Sequence, residues 1–283
     1  MTETIHSQPR PFFLASSLGR IFCIYHAPVG DVKPWGNILI VPAFNEEMNR
    51  CRSMVTIQAQ ALAHQGLGTL VIDLYGTGES DGEYGDALWD TWLEDIRSAK
   101  AWLDGQPGGC LALLGIRLGF PLAVCAVRDD FKPRALVAWQ AVVDGKNYFT
   151  QFMRMKIAAN MDRTDIPKET TGGMRAQLAA GSSIEIAGYE ISPELGMTLD
   201  KLKLAEMLPA DTSKVAWFEK AAGAENTLSP ASEKIIEGWK ESGRAIEAGL
   251  FDGPAFWALH DRFLAPDLVT KTSDWLQQFR PAK

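Results

Sequence analysis

The chain has 283 residues, of which 46% are hydrophobic and 22% charged, so it can bury the core of one large α/β domain. Its net charge of -7 argues against binding to the phosphate backbone of nucleic acids. Four dispersed cysteines lack metal-binding spacing and indicate reduced thiols, and no apolar run is long enough to cross a membrane. We therefore expect a cytoplasmic protein that needs no metal or other cofactor.

Short apolar runs alternate with helix-like segments along most of the chain. Such alternation predicts a largely parallel sheet that is covered by helices on both faces. Strands are predicted at 11–17 and 21–27, as an opening hairpin, and at 36–43, 68–74, 110–116, 134–142, 214–219 and 245–251. Helices are predicted at 54–64, 86–103, 118–127, 231–242 and 266–279, and a polar loop at 44–50.

The turn between the predicted strand 110–116 and the helix after it has the layout of a nucleophile elbow. Gly115 and Gly119 flank Arg117 at the spacing of G-x-S-x-G, which turns sharply from a strand into a helix. Glycines at these positions remove side chains that would collide in so tight a turn. The central residue should be the nucleophile, but a guanidinium stays protonated at any working pH. The sequence therefore predicts the scaffold of an elbow without its nucleophile.

Two interpretations of Arg117 stay open. It could hold a carboxylate, phosphate or sulfate at the mouth of the sheet, meaning the carboxyl ends of its strands, where such sheets bind ligands. Alternatively, it could form an internal ion pair with Glu46 or Glu47, because a buried guanidinium needs a partner. The negative charge of these two carboxylates would oppose a developing oxyanion. We therefore expect one of them to act as a general base or as the counter-ion of Arg117, or both to lie exposed in a solvated loop.

The other members of a catalytic triad are poorly represented. The loop after the last predicted strand holds no histidine, and His260 follows shortly after it, either as a base or as a histidine on a helix surface. Glu219 and Asp144 are candidates for the acid, or simply charged strand ends. The predicted ligand pocket consists of residues near strand ends, namely Phe44, Asn45, Trp139, Gln140 and Trp257.

The alternation of strands and helices breaks off between residues 144 and 212. A structureless loop of that length is uncommon in a compact domain, so we predict a helical cap inserted between two strands. The chain is thereby divided into a first core part (1–143), the cap (144–213) and a second core part (214–283). The methionine-rich start of the cap could roof an acyl pocket, or bury its apolar face on the core.

This order of elements looks like an α/β-hydrolase fold with a cap, and four stretches carry a closer resemblance. They are Pro-Ala-Phe-Asn-Glu-Glu-Met-Asn at 42–49 with Arg52 and Met54, the segment 73–82, the elbow 115–119, and the segments 139–140 and 145–152; a weaker one spans 187–193. Through them the chain resembles the exosortase A system-associated hydrolase 2 family, which occurs in bacterial clusters for exopolysaccharide export and protein sorting. The resemblance implies a hydrolase-like fold, with arginine at the elbow as part of the family pattern.

Two classes of function follow. The first is a hydrolase or acyl transferase that acts on an ester or thioester of the exopolysaccharide pathway without an elbow serine. The second is a catalytically silent protein of this fold that binds an anionic ligand, or a protein of the export system, through Arg117. The family resemblance favours the first class. The missing serine, the missing histidine and the acidic loop favour the second.

Overall fold

A mixed sheet forms the centre of the molecule. The computed structural model describes residues 7–30, 32–127, 131–161, 168–221, 226–259 and 261–282. The strands in this part of the chain are β1 (Pro9–Ala15), β2 (Arg20–His26), β3 (Gly36–Val41), β4 (Leu67–Ile72), β5 (Cys110–Ile116), β6 (Ala135–Trp139), β7 (Ile184–Ile186), β8 (Tyr189–Ile191), β9 (Lys214–Lys220) and β10 (Ile246–Phe251). The main sheet has the order β1-β2-β4-β3-β5-β6-β9-β10. β1 and β2 pair antiparallel, β2 pairs antiparallel with β4, and the other neighbours are parallel.

Helices cover both faces of this sheet. Those on the two faces are α1 (Glu46–His64), α2 (Trp89–Asp104), α3 (Gly119–Ala126), α7 (Pro230–Glu241) and α8 (Pro266–Leu276). Three more helices, α4 (Gly145–Ala159), α5 (Thr171–Ala179) and α6 (Pro193–Lys201), lie in the segment between β6 and β9. One apolar core contains side chains of α2, α3 and α7, and a second core contains those of α1 and α8. Strands β3 and β6 are buried along their whole length, as expected for central parallel strands that are covered on both sides.

The predicted fold class is confirmed. The opening hairpin, the parallel strands and the helices between them all form, and β5 spans the same residues as predicted. The prediction was wrong at the loop 44–50, because α1 begins at Glu46 and not near residue 54. Glu46 and Glu47 occupy the first turn of this helix, where negative side chains are favoured by the unpaired N–H groups and the helix dipole.

The segment between β6 and β9 leaves the main sheet. It contains α4, α5 and α6 and a two-stranded hairpin of β7 and β8. Ala187 and Gly188 both have positive φ, which suits a two-residue turn between strands that twist right-handedly. The hairpin places Tyr189 against Tyr84, a residue of the short 3-10 helix Tyr84–Asp86 that precedes α2. The division of the chain at residues 143 and 213 stays a prediction.

Candidate ligand site at the elbow

Strained residues follow three neighbouring strands at the same edge of the sheet. Asn45, Arg117 and Gln140 come after β3, β5 and β6, and their φ angles are 54°, 55° and 49°. Residues other than glycine rarely adopt positive φ, and each such residue costs about 1–3 kcal/mol. Strain of this kind persists only where the surroundings enforce it, and it concentrates at functional sites. The mouth of the sheet is therefore the place to look for a site.

The elbow forms as its two glycines require. A Cβ on Gly115 would lie 2.3 Å from Cα of Phe120, and a Cβ on Gly119 would lie 2.3 Å from the carbonyl oxygen of Val41. Both close approaches are to backbone atoms, which cannot move aside as a flexible side chain could. The turn brings Arg117 to the end of β5, and its N–H donates to the carbonyl of Trp139 at 2.9 Å.

The guanidinium of Arg117 is held in place by neighbours on several sides. Nε donates to Oε1 of Glu47 at 3.1 Å, and Nη1 donates to the backbone carbonyl of Gln140 at 3.1 Å. Cζ lies 5.5 Å from the ring centroid of Tyr148 and 5.4 Å from that of Trp257, which places a cation over two aromatic faces. Nη2 makes no hydrogen bond within the described part of the chain.

Glu47 connects Arg117 to the segment between β6 and β9. Its second oxygen, Oε2, accepts a hydrogen bond of 2.7 Å from the hydroxyl of Tyr148 on α4. Burial, together with the charge of Glu47, raises the pKa of Tyr148 well above its usual value, so this phenol stays protonated and donates. The side chains of Arg117 and Glu47 are each only 17% exposed. The alternative of a solvated acidic loop is therefore wrong, and the internal ion pair with Glu47 forms.

The two residues before Glu47 are held by tyrosines as well. The hydroxyl of Tyr189, from β8, donates to Oε1 of Glu46 at 2.9 Å, and that of Tyr84 donates to Oδ1 of Asn45. Burial raises the pKa of Tyr189 to about 12. Three consecutive side chains at the start of α1 thus each accept a hydrogen bond from a tyrosine on a different element.

A cavity of about 430 Å³ opens at Arg117. Its lining combines two arginines, two carboxylates and several apolar or aromatic side chains. The lining residues are Phe44, Asn45, Glu46, Glu47, Arg50, Arg117, Tyr148, Gln151, Phe152, Met155, Trp257 and Ala258. Its volume is within the usual range for small-molecule sites. The predicted pocket residues Phe44, Asn45 and Trp257 and the predicted residues Glu46, Glu47 and Arg117 all line this one cavity.

The lining of this cavity offers no hydroxyl or thiol nucleophile of the usual kind within the described residues. It contains no serine, threonine or cysteine. Cys51 is buried, which raises the pKa of its thiol and favours the unreactive protonated form. Ser80 accepts from the N–H of Phe22 and donates to the carbonyl of Asp73, so it caps a turn.

The structure gives the two candidate acids other partners. Glu219 is 2% exposed and accepts hydrogen bonds from Trp217 and from Ser229 and Ser232 at the start of α7. It therefore fixes α7 to the end of β9, a role that uses both of its oxygens. Asp144 accepts from the N–H of Asn147 at 2.8 Å and pairs with Lys203. It is the N-cap of α4. Neither residue lines the cavity at Arg117.

Two of the predicted pocket residues do not line the cavity. The indole of Trp139 is fully buried and donates to Thr272 of α8 at 2.9 Å, on the opposite side of the sheet from α2 and α3. The side-chain oxygen of Gln140 accepts from the N–H of Lys220, and only its backbone carbonyl contacts Arg117. Position at a strand end did not decide where either side chain points.

Neither of the histidines that the structure describes lines the cavity at Arg117. His260 lies outside the described residues. His26 is buried at the end of β2, and His64 is exposed at the end of α1. Within the described ranges no group of three or more histidine, cysteine or acidic residues could hold a metal ion. None of the helices in those ranges is both long and apolar enough to span a bilayer.

Comparison with solved structures identifies the fold. No family model matches the chain, and no curated protein matches it. Solved structures do match, and the parallel sheet, the elbow between β5 and α3 and these matches together establish the α/β-hydrolase fold.

Several of these structures are esterases or hydrolases. Est1E from Butyrivibrio proteoclasticus, solved with ferulic acid bound, matches with a TM-score of 0.64 and 14% identity over 96% of this chain and 100% of its own. The α/β-hydrolase GrgF from Penicillium sp. sh18 matches with a TM-score of 0.63 and 16% identity over 98% and 99%. The esterase domain of a Rhodothermus marinus protein matches with a TM-score of 0.58 and 16% identity over 96% and 98%. At such identities the likeness concerns the fold alone.

Sequence reasoning missed the tyrosines of this site. Tyr148 and Glu47 are 101 residues apart, and Tyr189 and Glu46 are 143 apart. No periodicity or short motif joins residues at such separations. The resemblance covered the segments that carry both tyrosines, which is the one signal that could have singled them out.

Proposed function

We propose that this protein binds a small monocarboxylate with an apolar hydrocarbon group in the cavity at Arg117, hereafter the elbow cavity, and that it does not catalyse acyl transfer. The observation that carries the proposal is Arg117 itself. A guanidinium occupies the place of the nucleophile, is fixed by Glu47 and Gln140, and retains Nη2 for an acceptor on a ligand. Because its geometry is fixed before a ligand arrives, little side-chain entropy is lost on binding.

The charges at the cavity favour a monoanion over a dianion. Arg117 and Arg50 are balanced there by Glu46 and Glu47, so the empty cavity is close to neutral. One carboxylate leaves a single excess negative charge near two guanidinium groups. A phosphate dianion would add a second charge beside Glu47, at low solvent exposure, where repulsion is poorly screened.

The apolar part of the ligand is expected to contact the aromatic wall. Phe44 and Phe152 have ring centroids 5.5 Å apart, and both line the cavity together with Trp257. Aromatic rings supply apolar area and prefer edge-to-face contacts, so a ring or a short branched acyl group suits this wall. We propose that such a ligand belongs to the export and sorting system implied by the family resemblance, in the cytoplasm.

Thermal stabilisation by small acids tests the proposal. Cyclohexanecarboxylate and benzoate should raise the melting temperature of the wild type saturably, and phenyl phosphate should do so less. Arg117→Met keeps the apolar stem of the side chain but removes the guanidinium, so it should abolish the shift. Arg154→Met, at an exposed arginine of α4 outside the cavity, is the matched control and should keep it. An unchanged shift in Arg117→Met would refute the assignment.

The enzyme alternative is tested separately. A fluorophosphonate probe should label nothing, and p-nitrophenyl esters and acyl thioesters of two to eight carbons should not turn over above background. Turnover that disappears in both Arg117→Met and Glu47→Gln would establish a hydrolase at the same cavity and overturn the silent assignment.

A further inference from the structure

The lining of the elbow cavity contains two opposite charges that are kept apart. Glu46 and Arg50 are one helical turn apart in α1, with the glutamate nearer the N-terminus, which is the arrangement that favours an ion pair on a helix. The structure describes both side chains, and they form no ion pair with each other. Both of them line the elbow cavity instead.

Each of these two side chains is held by a different element. The hydroxyl of Tyr189 donates to Oε1 of Glu46 at 2.9 Å, and Nη1 of Arg50 donates to the backbone carbonyl of Ala258 at 3.3 Å. Tyr189 belongs to β8, whereas Ala258 belongs to the loop between β10 and α8. Oε2 of Glu46 makes no hydrogen bond within the described part of the chain. Because Glu46 is only half-buried and lines the cavity, this oxygen is the acceptor that the lining offers to a ligand.

The other carboxylate of the lining is already satisfied. Glu47 uses one oxygen for Nε of Arg117 and the other for the hydroxyl of Tyr148. Arg117 retains Nη2 for a ligand. Within the described ranges, the cavity therefore presents one unpaired carboxylate oxygen, on Glu46, together with guanidinium donors on Arg117 and Arg50.

This combination suits a ligand that carries both a negative and a positive charge. A zwitterion adds no net charge to a cavity in which two guanidinium groups and two carboxylates are balanced. A simple carboxylate adds one negative charge and leaves Oε2 of Glu46 without a donor. A charged group at low solvent exposure is stabilised by a hydrogen-bonding partner of opposite charge, and an ammonium group supplies one.

We infer that the ligand of the elbow cavity is an amino acid with an apolar side chain, whose carboxylate binds Nη2 of Arg117 and whose ammonium group binds Oε2 of Glu46. The inference rests on the proposed function, because it keeps the carboxylate at Arg117 and adds a second charge to the same ligand. The apolar side chain takes the place of the hydrocarbon group, against the wall of Phe44, Phe152 and Trp257.

Calorimetric titration with one matched set of probes tests the inference without any substitution. Phenylalanine and 3-amino-3-phenylpropanoate carry the ammonium group on different carbons, 3-phenylpropanoate is their common parent without it, and 2-phenylethylamine lacks the carboxylate. At least one of the two amino acids should bind the wild type about tenfold more tightly than the parent, as expected for one added charge-assisted hydrogen bond. 2-Phenylethylamine should bind more weakly than that amino acid, because it cannot use Arg117.

Substitution of Glu46 tests the assigned partner of the ammonium group. Glu46→Gln keeps an acceptor for Tyr189 but removes the charge, so affinity for the tighter amino acid should fall about tenfold. Affinity for 3-phenylpropanoate should stay the same or rise. Glu194→Gln, at an exposed carboxylate in the first turn of α6 and outside the cavity, is the matched control and should change neither affinity. Arg117→Met should weaken the binding of the amino acid and of the parent alike.

The outcomes separate this inference from the proposed function. If 3-phenylpropanoate binds the wild type but not Arg117→Met, and neither amino acid binds more tightly than it does, the inference is wrong and the proposed function stands. An equal effect of Glu46→Gln on the amino acid and on the parent would also overturn the inference. If no carboxylate binds, or if binding survives in Arg117→Met, the proposed function fails and the inference fails with it.

Discussion

Replacing Glu47 by glutamine should have opposite effects on stability and on ligand affinity. The substitution preserves the shape of the side chain but removes the charge that faces Arg117 at 3.1 Å. At an effective dielectric constant near 20, two unit charges about 4 Å apart attract each other by about 4 kcal/mol. Removing one partner of a fully buried pair costs about 3–5 kcal/mol, because the other charge stays behind.

The partial exposure of this pair reduces that cost. Each side chain is 17% exposed, so water solvates Arg117 to some extent after the substitution. Arg117 also keeps its hydrogen bond to the carbonyl of Gln140. We therefore expect the free energy of unfolding to fall by roughly 2–3 kcal/mol. Affinity for cyclohexanecarboxylate should rise about tenfold, since removing a repulsion across the same guanidinium is worth about 1.4 kcal/mol.

Urea unfolding, followed by tryptophan fluorescence and far-UV circular dichroism, measures the first effect, and calorimetry measures the second. Coincident transitions are needed before a single free energy is assigned. Glu237→Gln, at an exposed position of α7, is the matched control and should change stability by less than about 0.5 kcal/mol. In a double-mutant cycle with Arg117→Met, the two losses should be far from additive. If Glu47→Gln changes both quantities as little as the control does, the ion pair does not organise the site.

Three further outcomes are expected. Burial lowers the pKa of His26 from 6.5, so on acidification His26 is protonated in the unfolded chain before it is protonated in the folded protein. The free energy of unfolding should therefore fall as the pH drops below about 6.5, by up to about 1.4 kcal/mol per pH unit. His26→Gln should flatten this dependence in urea titrations from pH 5 to 8. Gly119→Ala should abolish soluble folding, whereas Gly238→Ala, in α7 with open space at the new Cβ, should raise the unfolding free energy by about 0.5–1 kcal/mol. Tyr189→Phe should speed limited proteolysis between β6 and β9, because the hydroxyl that bonds Glu46 is lost, at a cost of about 1 kcal/mol.

The strands of the sheet could be predicted from the sequence because each buried parallel strand is a short, continuous apolar run. β5 is an uninterrupted apolar run that ends at a glycine-flanked turn, and its limits could be predicted to the residue. The start of α1 left a weaker signal. Asn45, Glu46 and Glu47 are polar, which suggested a loop, yet acidic residues are favoured in a first helical turn. A polar run before an apolar helix is as consistent with a helix start as with a loop.

The wrong placement of Trp139 has a geometric cause. Side chains alternate between the two faces of a strand, so Trp139 shares a face with Val137 and lies in the core with α8. Its neighbour Ala138 lies in the opposite core. The position of Trp139 at the end of its strand determines where it lies along the strand direction, but not on which face of the sheet its side chain lies. Because β6 is apolar and buried on both faces, its sequence did not indicate which face Trp139 takes.

The two glycines of the elbow are not evidence of catalysis, because close packing against the backbone requires them in any case. Gly115 and Gly119 each lie too close to neighbouring backbone to accept a Cβ, whichever residue stands between them. What decides the chemistry is the set of partners around that central residue. A serine substituted for Arg117 would face Glu47, Tyr148 and an aromatic wall, and no histidine lines the cavity among the described residues. A nucleophile needs a base within hydrogen-bonding reach, so one substitution at the elbow would not restore a triad. The arginine and the tyrosine-bound carboxylates that surround it form one arrangement, and they have to be tested together.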